Sequence, residues 1–273
     1  MKYAFLCKSS TSITNKRVAI IGSGPAGLAI AGYLACKGFE IDVYDKLPLP
    51  GGLMTFAIPR YRIPFDSIIE GIEDLKENFS VKFYLSTKVC TGNDLDEGDE
   101  LVKNIINLST ILDSYDAVVL ATGTWKSRKL NIPGENSINV FSALNFLLKL
   151  RLHELKFHNS SLTIPKRVVV IGAGLSAVDV AEECIYRGAE EVHMVYRRTI
   201  NEAPAGIYHI NKLKSMGIKW IELASPKRII AEGNVAKAVE FIKMRLGGLD
   251  ESGRPKPIPI PGSEFIIETD AVI

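Results

Sequence analysis

Gly22, Gly24 and Gly27 stand in the order G-x-G-x-x-G directly after the apolar, β-branched run Val18 to Ile21, and Asp45 closes the next apolar run, "EIDVYD". The three glycines act differently. The first permits a tight turn, the second lets a pyrophosphate approach the backbone, and the third lets helix and strand pack closely. The helix expected from Pro25 and Ala26 onward turns its unpaired N–H groups and positive dipole end toward the phosphates. Asp45 follows Gly22 by 23 residues, the spacing at which a carboxylate accepts hydrogen bonds from a ribose diol. These residues together specify a dinucleotide site.

The line is written twice. "KRVAIIGSGPAGLAIAGYLACKG" from Lys16 returns, 150 residues later, as "KRVVVIGAGLSAVDVAEECIYRG" from Lys166. Gly172, Ala173 and Gly174 keep the turn, Leu175 and Ser176 open the helix, and Ala177 replaces the third glycine, a packing position that tolerates Ala. The carboxylate is not repeated. Tyr196 stands at an offset of 151 from Asp45, and Arg197 and Arg198 follow it. A carboxylate would repel a 2′-phosphate, whereas paired guanidiniums hold one through charge-assisted, often bidentate hydrogen bonds. A solvated basic pair at a strand end is the plainer alternative. On the phosphate reading the two modules take two different cofactors, FAD in the first and NADP(H) in the second. A flavin facing a nicotinamide implies hydride transfer, which requires no acid, base or nucleophile from a side chain. No catalytic side chain is assigned.

These sites require an α/β fold of two Rossmann-like, parallel-sheet dinucleotide-binding modules. The boundaries are read as residues 16–135 for the FAD module, 136–165 for a connecting helix and linker, and 166–273 for the NADP(H) module. The first module is expected to hold a helix from Asp66 to about Asn78, a strand at "VKFYL", and a buried strand from Ala117 to Leu120 that ends in the turn Thr122-Gly123. "SALNFLLKLRLHEL" reads as an amphipathic connecting helix with core leucines. In the second module "GIKWIEL" and "AVEFIKMRL" read as strands, while the Gly, Pro and charge content of "GLDESGRPKPIPIPGSE" reads as an exposed loop.

Composition narrows the partners. The 273 residues are 47% hydrophobic and 23% charged with a net charge of +2, which is a folded chain without a broad field for nucleic acid or an anionic membrane. No stretch approaches the roughly 20 apolar residues that span a bilayer. Cys7, Cys36, Cys90 and Cys184 form no C-x-x-C pair, so neither a zinc site nor a dithiol redox centre is expected, and a reducing cytoplasm fits. His153, His158, His193 and His209 lack ligand spacing, so no metal site is assigned.

In their order along the chain, "GSGPAGL", "PGGLMTFAIPRYRIP", "LATGTWKSRKLNIPGE", "VIGAGLSAVDVA", "VYRRT" and "PIPGSEF" resemble the small-subunit family of NADPH-dependent glutamate synthase. That family is similar to the flavin and nicotinamide portion of dihydropyrimidine dehydrogenase. The resemblance implies FAD contacts from Gly22, Gly24, Pro25, Ala26, Gly27 and Asp45, with Gly52, Leu53, Arg62, Val89, Thr122 and Gly123 completing the set. It further implies nicotinamide-side contacts from Gly172 to Ser176 and from Arg197 and Arg198. Hydride would pass from NADPH to FAD, and electrons onward to a redox partner protein or large subunit. Three departures stand out. Ala57 replaces a family glycine, which suggests a looser backbone approach to the flavin. About fifteen residues precede the first strand, without the cysteine-rich region by which many relatives bind iron–sulfur clusters, so no cluster is expected in this chain. The chain stops at "TDAVI", where relatives continue back into the flavin domain. A second chain completing the flavin site is therefore expected, and the alternative reading is a split nucleotide-binding or assembly subunit without independent catalysis.

Overall fold

Short β-branched strands joined by helices can lie side by side only in parallel, because each crossover must bring the chain back to the same end of the sheet. The computed structural model describes residues 7, 13–92, 96–157, 164–251 and 253–273, and shows this arrangement twice. Two units divide the chain, one of Met1–Lys126 with Leu150–Leu155, the other of Ser127–Lys149 with Lys156–Ile273.

The first unit runs β1 (Arg17–Ile21), α1 (Pro25–Cys36), β2 (Glu40–Tyr44), α2 (Leu53–Phe56), α3 (Phe65–Phe79), β3 (Lys82–Tyr84), β4 (Thr87–Cys90), β5 (Asn104–Asn107), α4 (Leu108–Ser114) and β6 (Ala117–Leu120). Its main sheet has the order β3-β2-β1-β6, parallel throughout, and β4 and β5 pair apart from it. Helix α3 buries Ile68, Ile72 and Leu75, one face at helical spacing, against Leu28, Ala31 and Val43. Strand β6 departs from the expected buried strand. Among the described residues it pairs only with β1, at the end of the sheet, and Leu120 is 66% exposed.

Helix α5 (Ala143–Glu154) contains the boundary between the units, and Leu147, Leu148, Leu150 and Leu152 are all buried. The stretch before it belongs with the second unit: the N–H of Ile229 donates to the carbonyl of Pro133, and that of Phe141 to Val272.

The second unit runs β7 (Arg167–Ile171), α6 (Leu175–Tyr186), β8 (Glu191–Tyr196), α7 (Ile207–Ser215), β9 (Lys219–Glu222), β10 (Ala224–Glu232), β11 (Val235–Leu249), β12 (Pro255–Glu268) and β13 (Ala271–Val272). Its parallel sheet, β13-β7-β8-β9, repeats the first, with β13 beside β7 as β6 lies beside β1. Val18 faces Ala117 and Val168 faces Ala271 in the same register. The anchoring is repeated as well. Asp116 accepts the N–H of Arg17 at 2.9 Å, and Asp270 accepts that of Arg167 at 3.0 Å.

The proline-rich segment is not a loop. From Pro255 it forms β12, the outer strand of the antiparallel sheet β10-β11-β12. Pro255, Pro257 and Pro259 pair with Leu249, Leu246 and Met244. Alternate residues of an edge strand send their N–H groups to the same side, so prolines at every second position remove only donors that face away from the partner. Strand β10 is a further element that pattern does not reveal, because the run "ASPKRIIAE" carries a proline and three charges and lacks clean alternation.

Candidate functional site

The first glycine turn is held by its neighbours on all sides. The N–H of Gly22 donates to Tyr44 at 2.7 Å, and a Cβ on Gly22 would lie 2.3 Å from the carbonyl oxygen of Ala121. At Gly27 a Cβ would fall 1.9 Å from the Gly22 oxygen, so α1 starts against the turn itself. Nothing lies within 4 Å of a Cβ built on Gly24, the position at which a pyrophosphate would approach. Pro25 and Ala26 are exposed in the first turn of α1. The "PGG" turn backs onto this site. Gly51 donates to the Ser23 carbonyl at 2.9 Å, and a Cβ on Gly52 would sit 2.9 Å from the Gly24 Cα. Leu53 opens α2 immediately after it. Ala57 has φ −137°, which any residue adopts, so the backbone there does not depend on glycine.

Asp45 is buried and orders the turn. One carboxylate oxygen accepts from the N–H of Ser23 at 2.6 Å and from its hydroxyl at 2.5 Å, and the other accepts from the N–H of Leu47 at 2.8 Å. An ionised carboxylate offers about four acceptor positions, so capacity remains for a diol. Ser23 occupies a variable position of the glycine motif, and its hydroxyl is the only sequence signal of this role. Asp45, Val89 and Thr122 line one cavity of about 100 Å3 together with Gly22, Lys46 and Trp125. Gly123 forms the turn beyond β6 with φ +67°. Arg62 lies half-buried in the turn after α2, its guanidinium 5.9 Å from the Tyr61 ring, and is not among the residues that line this cavity.

In the second unit the Gly172 N–H donates to Val195 at 2.9 Å, the counterpart of the Gly22 bond to Tyr44. Asp45 and Tyr196 thus hold equivalent places, each following the residue that receives the glycine N–H. Gly174 is again open around its would-be Cβ, Leu175 and Ser176 are exposed in the first turn of α6, and Ala173 is buried. The Ala203-Pro204-Ala205 segment closes on this turn through the N–H of Ala205, which donates to Ala173 at 3.0 Å.

The two arginines part company. Arg197 is exposed, whereas Arg198 is 2% exposed and points inward. Its Nε donates to the Pro255 carbonyl at 2.7 Å and its Nη2 to Asp250 at 2.6 Å, so it ties the strand end to the β11–β12 connection. In sequence they read as one pair because spacing cannot distinguish an inward from an outward guanidinium.

Cys7 and Cys36 form a disulfide, so the lack of a C-x-x-C pair does not exclude a cross-link. Residues 29 apart carry no pairing signal in sequence, and the bond joins the segment before β1 to the end of α1. Of the others, Cys90 is partly exposed, and burial among apolar neighbours pushes the Cys184 thiol up to about 12. Among the described residues no cluster of three His, Cys, Asp or Glu side chains could hold a metal ion, and no helix is long and apolar enough to cross a membrane. His158 lies outside the described residues.

Residues 16–248 match the family of pyridine nucleotide-disulphide oxidoreductases. The chain belongs to this family. Its members bind FAD and NAD(P), and the open Gly24 and Gly174 positions suit two such nucleotides. The chain is 34% identical over 97% of its length to the NADP(+)-dependent formate dehydrogenase subunit beta of Moorella thermoacetica, and covers 35% of that protein. With the glutamate synthase [NADPH] small chain of Halomonas elongata it shares 33% identity over 97% of its length, covering 54% of the relative. The chain thus spans between a third and about half of these two relatives. Among solved structures, Mycobacterium tuberculosis FprA in complex with NADPH superposes with a TM-score of 0.74 over 94% of this chain and 69% of its own, at 20% identity, a likeness of fold.

Proposed function

We propose that this chain is the flavin- and nicotinamide-binding part of an NADPH-dependent oxidoreductase of the glutamate synthase small-chain type, with FAD on the first module and NADP(H) on the second. When bound, the two cofactors supply hydride transfer from nicotinamide to flavin, and electrons pass on to a partner protein or large subunit. The residues of the chain bind and orient. Gly22 makes the turn, Gly24 lets a pyrophosphate approach the backbone at the start of α1, Gly27 lets α1 pack against the turn, and Asp45, held by Ser23, accepts from the adenosine ribose. In the second module Gly172 and Gly174 do the same, Ser176 adds a hydroxyl at the helix start, and Arg197 carries the 2′-phosphate. Arg198 braces the module as a whole, tying the strand end to the β11–β12 connection.

The observation that carries this reading is the substitution at one structurally equivalent place: a buried carboxylate at Asp45, but an aromatic followed by an exposed cation at Tyr196 and Arg197. The relatives named as beta subunits and small chains support a place in a larger assembly. A cytoplasmic setting belongs to the same reading. The test is an absorbance spectrum of the purified protein after incubation with FAD. A flavin spectrum that NADPH bleaches anaerobically is expected, and NADH should bleach it more slowly. Protein that stays colourless yet binds NADPH would replace this reading with that of a nucleotide-binding or assembly subunit.

A further inference from the structure

The cavity beside Asp45 contains an aromatic ring that the dinucleotide motifs do not account for. Trp125 lines it together with the end of β2, and the Lys46 ammonium lies over the indole, 4.8 Å from the ring centre. Lys46 is itself held on its other side. Its Nζ donates to the Glu97 carbonyl at 2.7 Å and to Asp99 at 3.1 Å. Lys88, from β4, also pairs with Asp99 and faces Asp96 at 3.9 Å.

The charges determine which part of a nucleotide suits this place. Two ammoniums, Lys46 and Lys88, meet two carboxylates, Asp96 and Asp99, so the cluster is neutral. Burial would raise the Asp99 carboxyl, but the hydrogen bonds from Lys88, the Asp96 N–H and Lys46 outweigh it and hold the group below its ordinary value. It stays ionised and the lysines stay occupied. A phosphate would find no uncommitted cation here, whereas a neutral heteroaromatic base finds an indole of fixed orientation beside a ribose-binding carboxylate.

We infer that Trp125, pinned by Lys46, is the stacking platform for the adenine of the dinucleotide in the first module. The inference rests on the reading of that module as the FAD site and adds a binding residue to it. Lys46 acts through Trp125 as a positioning residue, since its ammonium holds the indole and not the ligand.

The chain has two tryptophans, Trp125 and Trp220, so Trp220→Phe leaves Trp125 as the sole indole emitter. This variant is titrated with ADP, FAD and FMN, with NADP+ present throughout to fill the second module. ADP and FAD are expected to quench the emission, and FMN, which lacks adenosine, is expected to leave it unchanged. In the otherwise unsubstituted chain, Trp125→Ala should weaken ADP and FAD about tenfold and Trp125→Phe only about twofold, by calorimetry, because base stacking survives in part on a smaller ring. Lys46→Met should weaken both ligands a few-fold and broaden the Trp125 emission, a signature that loss of stability alone does not produce. If FAD binds but ADP leaves the emission unchanged and Trp125→Ala binds FAD normally, the inference is overturned and the flavin reading stands. If the unsubstituted chain binds neither FAD nor ADP, both are overturned.

Discussion

The two glycine turns come from nearly the same line of sequence, yet they are not equally tight. In the first, the Gly22 oxygen occupies the space that a Cβ on Gly27 would need. In the second, Ala177 carries a real Cβ at the place of Gly27. The lesson is that the third position of such a motif demands glycine only where the carbonyl of the first comes close to it. A repeat in sequence preserves the hydrogen bonds, Gly22 to Tyr44 and Gly172 to Val195, while leaving the closeness of packing free to differ.

The largest effect that sharpens this comparison is Gly27→Ala, expected to cost about 3 kcal/mol in urea unfolding and to abolish flavin retention, because backbone must shift to admit the methyl. The mirror change, Ala177→Gly, should cost only about 1 kcal/mol, the helix penalty of glycine. Similar costs for the two would erase the difference in tightness. Next in size is the split between the arginines. Arg197→Ala is expected to weaken NADPH about thirtyfold, as befits a lost charge-assisted contact, and to leave NADH within about twofold. Arg198→Ala should lower the melting temperature and weaken both coenzymes alike, since it removes the bonds that Arg198 makes to Asp250 and the Pro255 carbonyl. Equal selectivity losses in the two variants would return Arg198 to direct phosphate contact.

A smaller effect separates the repeated aspartates. Hydrogen bonds from Lys16 and from the Arg17 N–H hold Asp116 below the ordinary carboxyl value, and the Arg167 guanidinium does the same for Asp270. With the folded value depressed, each contributes stability that is present above about pH 4 and is lost as the pH falls through the lowered value. Asp270→Asn should therefore lower the melting temperature at pH 7 and flatten its fall below pH 4. Asp116→Asn should do so less, because its partner Lys16 is 60% exposed and screened by solvent. The smallest change concerns the cross-link, which has no counterpart among the described residues of the second module. Counting thiols in unfolded protein should find Cys90 and Cys184 before reduction, and Cys7 and Cys36 as well only after it. Four reactive thiols without reductant would mean that the bond is open in the purified protein.

Much of the parallel-sheet frame is legible in the sequence because its signals are local. β-branched runs, a glycine turn and an alanine-rich helix follow one another within about thirty residues, and Asp45 and Tyr196 align from spacing alone. What escapes depends on neighbours distant in sequence. No local pattern shows that Arg198 turns toward Asp250, 52 residues away, or that Cys7 meets Cys36. Strand β12 escapes for another reason. Proline argues against a strand only when both edges are paired, and sequence does not say which strand will be outermost. Trp125 is invisible as a site residue because nothing about a lone tryptophan after "ATGT" distinguishes a cavity wall from core.

The proline spacing of β12 has a consequence for how this protein behaves in a crowded solution. A long outer strand is an invitation for a neighbouring molecule to zip on and extend the sheet, the first step toward fibrous aggregates. With Pro255, Pro257 and Pro259 in alternation, the first half of that rail offers acceptors without matching donors, so a foreign strand cannot complete a ladder there.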